Sequence, residues 1–295
     1  MIDAVPKTLV CLLLAAATGI LPARTAMSEP AAVVLQFVES FDLHHGQHNL
    51  NEPSALAHDA LTGTLWTVSD DGPFLFEIEP SAKIIRKLDL PKEVRDPEAV
   101  AMDMRANRIL VLSERDGNII SVDLDSPETA AFFPVMSMKG ASWLRQIIDH
   151  ADGAFSPEGM TIDPATGTVF VANEKSPRLL LSITPDLSEI LSVETLDADK
   201  GFAVPGVKDT HLDISGLAMD VDKRAMWFVS DTGKSLFYRP LGGKRALRYA
   251  LRWRDDGKER QVRNAEGIAF DPGSRILFVA SDDGRSSRLF VYRVR

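Results

Sequence analysis

The sequence predicts an all-β protein built as a single five-bladed β-propeller, and two patterns carry that prediction. First, five segments of the 295-residue chain align with one another, and each begins with Glu or Ser and ends in an acidic residue sixteen positions later. Second, the runs after each central turn, such as "TVFVA" and "MWFV", are apolar at consecutive positions, which is typical of strands covered on both faces. Repeats of this kind indicate a propeller, in which each repeat forms one blade.

The five units agree at internal positions as well as at their ends. They begin at Ser54, Glu98, Glu158, Ser215 and Glu266, and they end at Asp70, Glu114, Glu174, Asp231 and Asp282. The sixth position is always Asp and starts a tight turn, where we expect the side chain to accept hydrogen bonds from backbone amides two residues on. These turn residues are Asp59, Asp103, Asp163, Asp220 and Asp271. The bulky apolar residues at position thirteen, which we assign to packing between blades, are Trp66, Leu110, Phe170, Trp227 and Phe278.

Each unit supplies the inner two strands of a blade, and the residues that follow it supply the others. Outer strands are predicted in "IIRKLDL", "AAFFPVM", "EILSVETL" and "RALRYALRW". The last unit has no such segment, because the chain ends at Arg295. We therefore assign "AVVLQFVESFDL", residues 32–43, as the strand that completes the last blade and closes the ring. A six-bladed ring with one further repeat in a spacer is the alternative.

The N-terminus differs from the rest of the chain. Lys7 precedes the apolar segment "TLVCLLLAAATGILPA", and small and polar residues follow, which is the order found in a secretory signal. We expect residues 1–26 to be a signal peptide, or an uncleaved anchor formed by residues 8–23, with the propeller in residues 32–295. The predicted location is the periplasm or cell envelope. Cys11 is the only cysteine, so the mature domain would have no disulfide and no thiol nucleophile.

The charge balance favours cationic partners. The chain carries a formal net charge of -9 at pH 7. An acidic surface repels nucleic acid and anionic lipid and attracts cations. We expect no nucleic-acid partner.

The sixteen-residue interval predicts that acids meet in pairs. If Glu158 and Glu174 face each other across a hairpin without a bulge, the turn centres on residue 166, within "DPATGT", and both acids lie at the open end. Like charges in that position are destabilising. A metal ion, a basic neighbour or a shared proton would compensate for them.

The paired acids predict a calcium site at one mouth of the central channel. Eight of the ten paired positions are acidic, and the inner strands that carry them line the channel. Oxygen ligands without Cys or His fit calcium better than a transition metal. The predicted ligands are Glu98, Glu158 and Glu266, with Glu114, Glu174 and Asp282 beside them, and Arg115 and Lys175 are weaker candidates for neutralising this charge or holding an anion. The alternative is that acids beside Asp-Gly and Thr-Gly turns serve turn chemistry alone.

Three long connections are predicted on the same face as the acids. They are residues 140–155, 197–212 and 254–265. Long loops over a channel mouth are a common place for a binding site.

Several segments resemble the SdiA-regulated (YjiK-like) family of bacterial propellers, which includes calcium-regulated β-propeller proteins of the cell envelope. They are "DPEAVAMD", "VLSERDGNIISVDL", "SPEGMTIDPATGTVFVANEK", "DISGLAMD" and "NAEGIAFD". The resemblance covers about residues 32–295. It implies a five-bladed propeller with a calcium site and an N-terminal export or anchor segment.

A more distant resemblance is to β-propeller phytases, in which similar Glu-Gly and Ala-Glu motifs bind calcium ions that hold and polarise phosphate. Glu158 with Glu174 matches that arrangement best. Glu98 with Glu114 matches except that Ala99 replaces the Gly, while Ser54 and Ser215 stand where further acids are expected.

The sequence thus supports one leading hypothesis and two alternatives. The leading hypothesis is an exported calcium-binding propeller with a binding or calcium-homeostasis role. The first alternative is a calcium-dependent phosphoesterase acting on a small phosphorylated ligand, with Lys175 or Arg115 steadying the anion. The second is a propeller that binds another envelope protein and holds no metal.

Overall fold

A computed structural model describes residues 33–295, which form five four-stranded antiparallel sheets and one separate two-stranded hairpin. The predicted signal or anchor segment, residues 1–26, lies outside the described residues. Blade 1 comprises β2 (Ala57–Asp59), β3 (Thr64–Ser69), β4 (Phe74–Ile78) and β5 (Ile84–Asp89). Blade 2 comprises β6 (Pro97–Asp103), β7 (Arg108–Ser113), β8 (Asn118–Asp123) and β9 (Ala131–Pro134).

The remaining blades follow the same plan. Blade 3 comprises β10 (Pro157–Ile162), β11 (Val169–Asn173), β12 (Leu179–Ile183) and β13 (Ile190–Thr195). Blade 4 comprises β14 (Gly216–Asp220), β15 (Ala225–Ser230), β16 (Ser235–Pro240) and β17 (Leu247–Ala250). Blade 5 comprises β20 (Ala265–Asp271), β21 (Ile276–Ser281), β22 (Arg288–Val294) and β1 (Leu35–Asp42), and the hairpin comprises β18 (Arg252–Asp255) and β19 (Lys258–Gln261).

The blades form a closed circle around a central channel. Each inner strand contacts the inner strands of both neighbouring blades, and β2 of blade 1 contacts β20 of blade 5. The prediction of an all-β propeller with five blades is confirmed, and the six-bladed alternative is wrong for the described residues. Hydrophobic residues of adjacent blades fill the space between them, so the core is divided into interblade layers.

The outer strands follow the predicted segments, and the last sheet takes its outer strand from the start of the described chain. Strand β1 pairs with β22 from Leu35 opposite Val294 to Asp42 opposite Arg288. The register shifts once, at Val38.

The repeat positions assigned to turns and packing do what the sequence predicts. Asp59 accepts a hydrogen bond from the Leu61 amide at 2.8 Å, and Asp271 accepts one from the Gly273 amide at 2.9 Å. The position-thirteen side chains are all buried, and Trp227 is fully enclosed. These residues hold blades and turns together, which leaves the acids at the channel mouth as the repeat residues without a packing role.

Two of the three connections predicted as loops contain regular structure. Residues 140–155 hold helix α1 (Ala141–His150), which buries Leu144 and Ile148. Residues 254–265 hold most of the β18–β19 hairpin, because the chain leaves blade 4 after Ala250 and turns at the Asp-Gly step 256–257. Short 3-10 helices cover Gly46–His48, Pro127–Thr129, Val135–Ser137, Ala198–Lys200, Asp209–His211 and Gly284–Ser286.

Helices in the described part of the chain are short. None of those in residues 33–295 is long and apolar enough to cross a bilayer.

Candidate functional site

Glu98, Glu158 and Glu266 occupy the same structural position in three blades, and that position is a β-bulge. In blade 3, Pro157 pairs with Asn173 and Gly159 pairs with Ala172, so Glu158 is an extra residue between two paired ones. The same shift occurs at Glu98 in blade 2 and at Glu266 in blade 5. A bulge re-aims the side chain that it carries, and bulges are frequent next to functional sites.

The bulge corrects the predicted pairing of the acids. Glu158 was expected to lie directly opposite Glu174, but the Glu174 amide instead donates to the Ser156 carbonyl at 2.8 Å. Likewise the Glu114 amide bonds the Asp96 carbonyl at 3.0 Å. The direct cross-strand opposition is therefore wrong by two residues, because hairpin arithmetic assumes an uninterrupted ladder.

The three bulge glutamates lie together in the channel, above an apolar constriction. Glu98, Glu158 and Glu266 line one small cavity of about 10 Å³. Its other walls are one apolar residue from each inner strand. These are Leu56, Val100, Met160, Leu217 and Ile268, all buried. The carboxylates thus sit over a hydrocarbon floor that supplies no polar partner.

Burial and like charge act on all three glutamates. Burial, together with the charges of Asp70 and Glu114, raises the pKa of Glu98 to about 9. Burial and the neighbouring Glu174 raise the pKa of Glu158 to about 10. Burial has the largest effect on Glu266, followed by the charge of Asp231, and its pKa is raised to about 8. Among residues 33–295 none of the three carboxylates receives a hydrogen bond, so at neutral pH each holds a proton unless a cation replaces it.

The acids that end the repeats form a second layer, and most of them have protein partners. Glu114 accepts a hydrogen bond from the Ser156 hydroxyl of the next blade. Asp231 accepts from the Lys234 ammonium at 2.5 Å and from the Ala265 amide at 3.1 Å. Partnered acids are fixed in place, so this layer orients negative charge toward the inner three.

Asp282 and Asp70 are the less satisfied members of that layer. Burial raises the pKa of Asp282, although the Gly284 amide donates to it at 3.3 Å. Burial and a hydrogen bond shared with Glu52 raise the pKa of Asp70 to about 7. One oxygen of the Asp70 carboxyl is buried without a partner.

The two predicted basic residues are engaged with acids. Lys175 pairs with Glu174 next to it in sequence. Arg115 lies 3.5 Å from Asp96, and its side chain is 61% exposed. Lys175 therefore neutralises an acid of the second layer, and Arg115 neutralises Asp96, which lies two residues before Glu98.

Ser54 and Ser215, which replace the acid in blades 1 and 4, have a structural role. The Ser54 hydroxyl donates to the Pro97 carbonyl at 2.9 Å, and the Ser215 hydroxyl donates to the Ala265 carbonyl at 2.6 Å. Each bond reaches the next blade at the residue just before a bulge glutamate. The two serines thus fix the backbone that carries Glu98 and Glu266.

Sequence reasoning missed two acids of this face, Glu52 and Asp213. Asp213 is buried and accepts from the Ser230 hydroxyl and from the Thr232 amide, the latter at 3.0 Å. Glu52 helps to raise the pKa of Asp70, and Asp213 helps to raise the pKa of Glu266. The signal was present, because the residue two places before each unit is always polar. Those residues are Glu52, Asp96, Ser156, Asp213 and Asn264.

The donor set is chemically suited to a hard cation, although its side chains are not drawn around one point. Within residues 33–295 no three Asp, Glu, His or Cys side chains are close enough to hold one ion directly. Calcium accepts six to eight oxygen ligands, including water and backbone carbonyls, in flexible geometry. A calcium ion at these glutamates would therefore need water or backbone carbonyls to complete its shell.

A family model places the chain among known proteins. The SdiA-regulated model matches residues 40–284, which covers blades 1 to 4, the two inner strands of blade 5 and all the acids described above. The chain belongs to the SdiA-regulated family. This SdiA-regulated propeller keeps all three bulge glutamates within the matched region.

Solved structures with a similar fold have very different sequences. Glutaminyl cyclase of Myxococcus xanthus is 14% identical with a TM-score of 0.58, over 90% of this chain and 98% of that one. The tail fibre of Staphylococcus aureus phage P68 is 13% identical with a TM-score of 0.56, over 88% of this chain and 52% of that one. The RRP9 WD40 repeats are 7% identical with a TM-score of 0.51, over 90% of this chain and all of that one. Such likeness shows the propeller fold alone, and the comparison with curated proteins finds no match.

Proposed function

We propose that this SdiA-regulated propeller is an exported calcium-binding protein of the cell envelope, with a binding or calcium-homeostasis role. The observation that supports it is the trio Glu98, Glu158 and Glu266, three half-buried carboxylates at equivalent bulges with no hydrogen-bond partner in the described chain. Glu114, Glu174 and Asp282 would add charge or water-mediated contacts. A divalent cation would compensate for their mutual repulsion, since no basic residue of the described chain lines the cavity that the three glutamates share.

Calcium would act here as a cross-link rather than as a catalyst. The three glutamates come from blades 2, 3 and 5, so one ion between them ties together strands that are far apart in sequence. Arg115 and Lys175 are engaged with acids, and we therefore propose no hydrolytic step for this site.

Thermal unfolding in EDTA and in calcium tests the proposal, with magnesium as the control ion. At a hundredfold excess over Kd, a bound ion stabilises the folded state by about 2.7 kcal/mol. For a domain of this size that corresponds to a rise in Tm of about 5–10 °C. We expect this rise with calcium and a much smaller one with magnesium, which demands stricter octahedral geometry.

A matched pair of variants locates the ion. Glu158→Gln with Glu266→Gln should abolish the calcium response, while Glu39→Gln with Glu93→Gln, two exposed glutamates away from the channel, should preserve it. An equal calcium response in both double variants would refute the assignment. The absence of any response in the unaltered protein would favour a propeller that binds another protein without metal.

Export is a separate part of the proposal and rests on residues 1–26. Cell fractionation with N-terminal sequencing tests it, since a cleaved envelope protein begins near residue 27 and an anchored one retains residues 8–23 in the membrane. Recovery of the uncleaved chain in the cytoplasmic fraction would refute it.

We further propose that strand β1 holds the ring closed. Strand β1 pairs along its length with β22 and covers the outer edge of the last blade, which supports this role.

A further inference from the structure

The β18–β19 hairpin creates a second site that is separate from the channel. The hairpin projects from the connection between blades 4 and 5 and stands beside blade 5. Between them lies a cleft of about 500 Å³. Its floor is formed by Trp253 and Phe290, and its walls carry Arg260, Arg263, Arg288 and Ser286.

Three guanidinium groups converge on this cleft in a chain whose net charge is -9. Only one acid, Asp283, is among the residues that line it. Arg263 contacts Asp283 at 2.6 Å, and the Arg263 side chain is 71% exposed. Among the residues that line the cleft, guanidinium groups therefore outnumber carboxylates by three to one, which favours an anionic ligand at its surface.

The ion pairs of the three arginines leave most of their donors free to bind a ligand. Arg260 uses Nε toward Asp255 at 3.0 Å, and Arg288 uses one terminal nitrogen toward Asp42 at 3.0 Å. A guanidinium has five N–H donors in a planar fork, which suits the two oxygens of a phosphate or carboxylate.

The floor of the cleft is aromatic and rigid. Trp253 packs edge-to-face on Phe290 with ring centroids 5.3 Å apart, and the Arg288 guanidinium lies 5.3 Å from the Trp253 ring centroid. Trp253 also packs on Phe37 of β1 at 6.4 Å. These contacts fix the hairpin to blade 5, because an isolated two-stranded hairpin is only marginally stable.

We propose that this cleft binds a small organic anion that carries a phosphate or carboxylate group on a flat apolar body. The arginines bind the oxyanion, and the floor of Trp253 and Phe290 contacts the flat part. A cavity of this volume is the size of small-molecule sites. The site uses none of the channel glutamates and needs no calcium.

Calorimetric titration of the full-length protein in EDTA and physiological salt tests the proposal. The probes are phenyl phosphate, benzoate and inorganic phosphate. We expect saturable binding of phenyl phosphate or benzoate, and weaker binding of inorganic phosphate because it has no body to contact the floor. The stronger of the first two identifies the oxyanion that the arginines prefer.

Two double variants of equal charge decide whether the cleft is the site. Arg260→Gln with Arg263→Gln should weaken binding by about tenfold for each arginine removed. Arg252→Gln with Arg254→Gln removes the same charge from the same hairpin, but these residues line the cavity on its other side, so affinity should change less than twofold. Equal losses in both pairs, or no saturable binding of any probe, would overturn the proposal.

Hydrogen exchange of the unaltered protein gives a readout that does not depend on variant folding. Phenyl phosphate at saturation should slow exchange in residues 252–263 and 281–290 and leave the channel strands unchanged. Protection elsewhere, or tight binding only of an acidic peptide that spans the hairpin, would also overturn it.

Discussion

Three glutamates define the chemistry of the channel, because each is held where a carboxylate is costly. A bulge aims Glu98, Glu158 and Glu266 into the cavity above the apolar constriction. The acids around them already have protein partners and do not offset the negative charge of the three glutamates. Such an arrangement persists in a folded protein when the proton or a cation occupies it.

The raised pKa values make a direct prediction about stability and pH. In the unfolded chain these groups titrate near 4.5, whereas in the folded protein the pKa values are about 9 for Glu98, about 10 for Glu158 and about 8 for Glu266. Above pH 4.5 the unfolded state releases protons that the folded state keeps, so stability falls as pH rises through the folded values. In EDTA we expect Tm to drop by on the order of 5 °C between pH 6 and pH 9.

The variant with all three glutamates changed to Gln is the control for this prediction. Glutamine keeps the size and loses the titration, so Tm should vary less over the same pH range and should exceed that of the unaltered protein at pH 9. A pH dependence that is equally steep in the triple variant would show that other groups cause it.

Among the strands, blade 5 differs from the others because it takes its outer strand from the other end of the chain. Strand β1 covers the edge of β22, and an uncovered edge strand is open to pairing with another molecule. Four of the five sheets draw their strands from consecutive segments, so β1 is the element that joins the two ends of the domain.

Two truncations test this role of β1. Removal of residues 1–32 leaves β1 intact and should change Tm by less than about 2 °C. Removal of residues 1–42 exposes β22 and the face of Tyr292, which packs on Phe37 at 5.7 Å. We expect a loss of about 10 °C or aggregation, measured by calorimetry and gel filtration. A monomeric 43–295 chain with unchanged Tm would show that β1 is dispensable.

The repeat made the blades predictable and left other elements hidden. Consecutive apolar runs and the invariant Asp mark strands and turns in every blade, because each blade repeats the same packing problem. Helix α1 and the β18–β19 hairpin lie in spacers outside the repeat. With ten residues, α1 offers little periodicity, and the placement of Trp253 on Phe290 depends on how blade 5 lies in space.

The sequence identified the acidic residues of the candidate site, but it did not predict how their strands pair. The acidic positions identified Glu98, Glu158 and Glu266, yet nothing in the residue types indicated that each is an extra residue in its strand. A bulge is set by how two backbones pair, and glutamate has no preference that marks one. Asp213 was missed for a different reason, because it lies two residues before the aligned unit.

The channel brings together glutamates from three blades of the ring, two of which are neighbours and one of which is not. Blades 2 and 3 are adjacent, while blade 5 reaches the same cavity from across the ring. An ion held by Glu98, Glu158 and Glu266, as proposed above, would therefore stabilise the closed circle rather than one blade. Because calcium would replace the protons that the raised pKa values retain, binding and proton release are coupled.

That coupling gives a quantitative test on the intact protein. The pKa values of all three glutamates lie above 7, so calcium binding at pH 7.5 should release protons and its affinity should rise from pH 6.5 to pH 8.5. Calorimetry in Hepes and in Tris, which differ in ionisation enthalpy, measures the number released, and we expect between one and three. The Glu39→Gln, Glu93→Gln variant should release the same number, since neither residue faces the channel. Binding with no proton release and no change of affinity with pH would mean that the ion is held elsewhere, at acids that are already ionised.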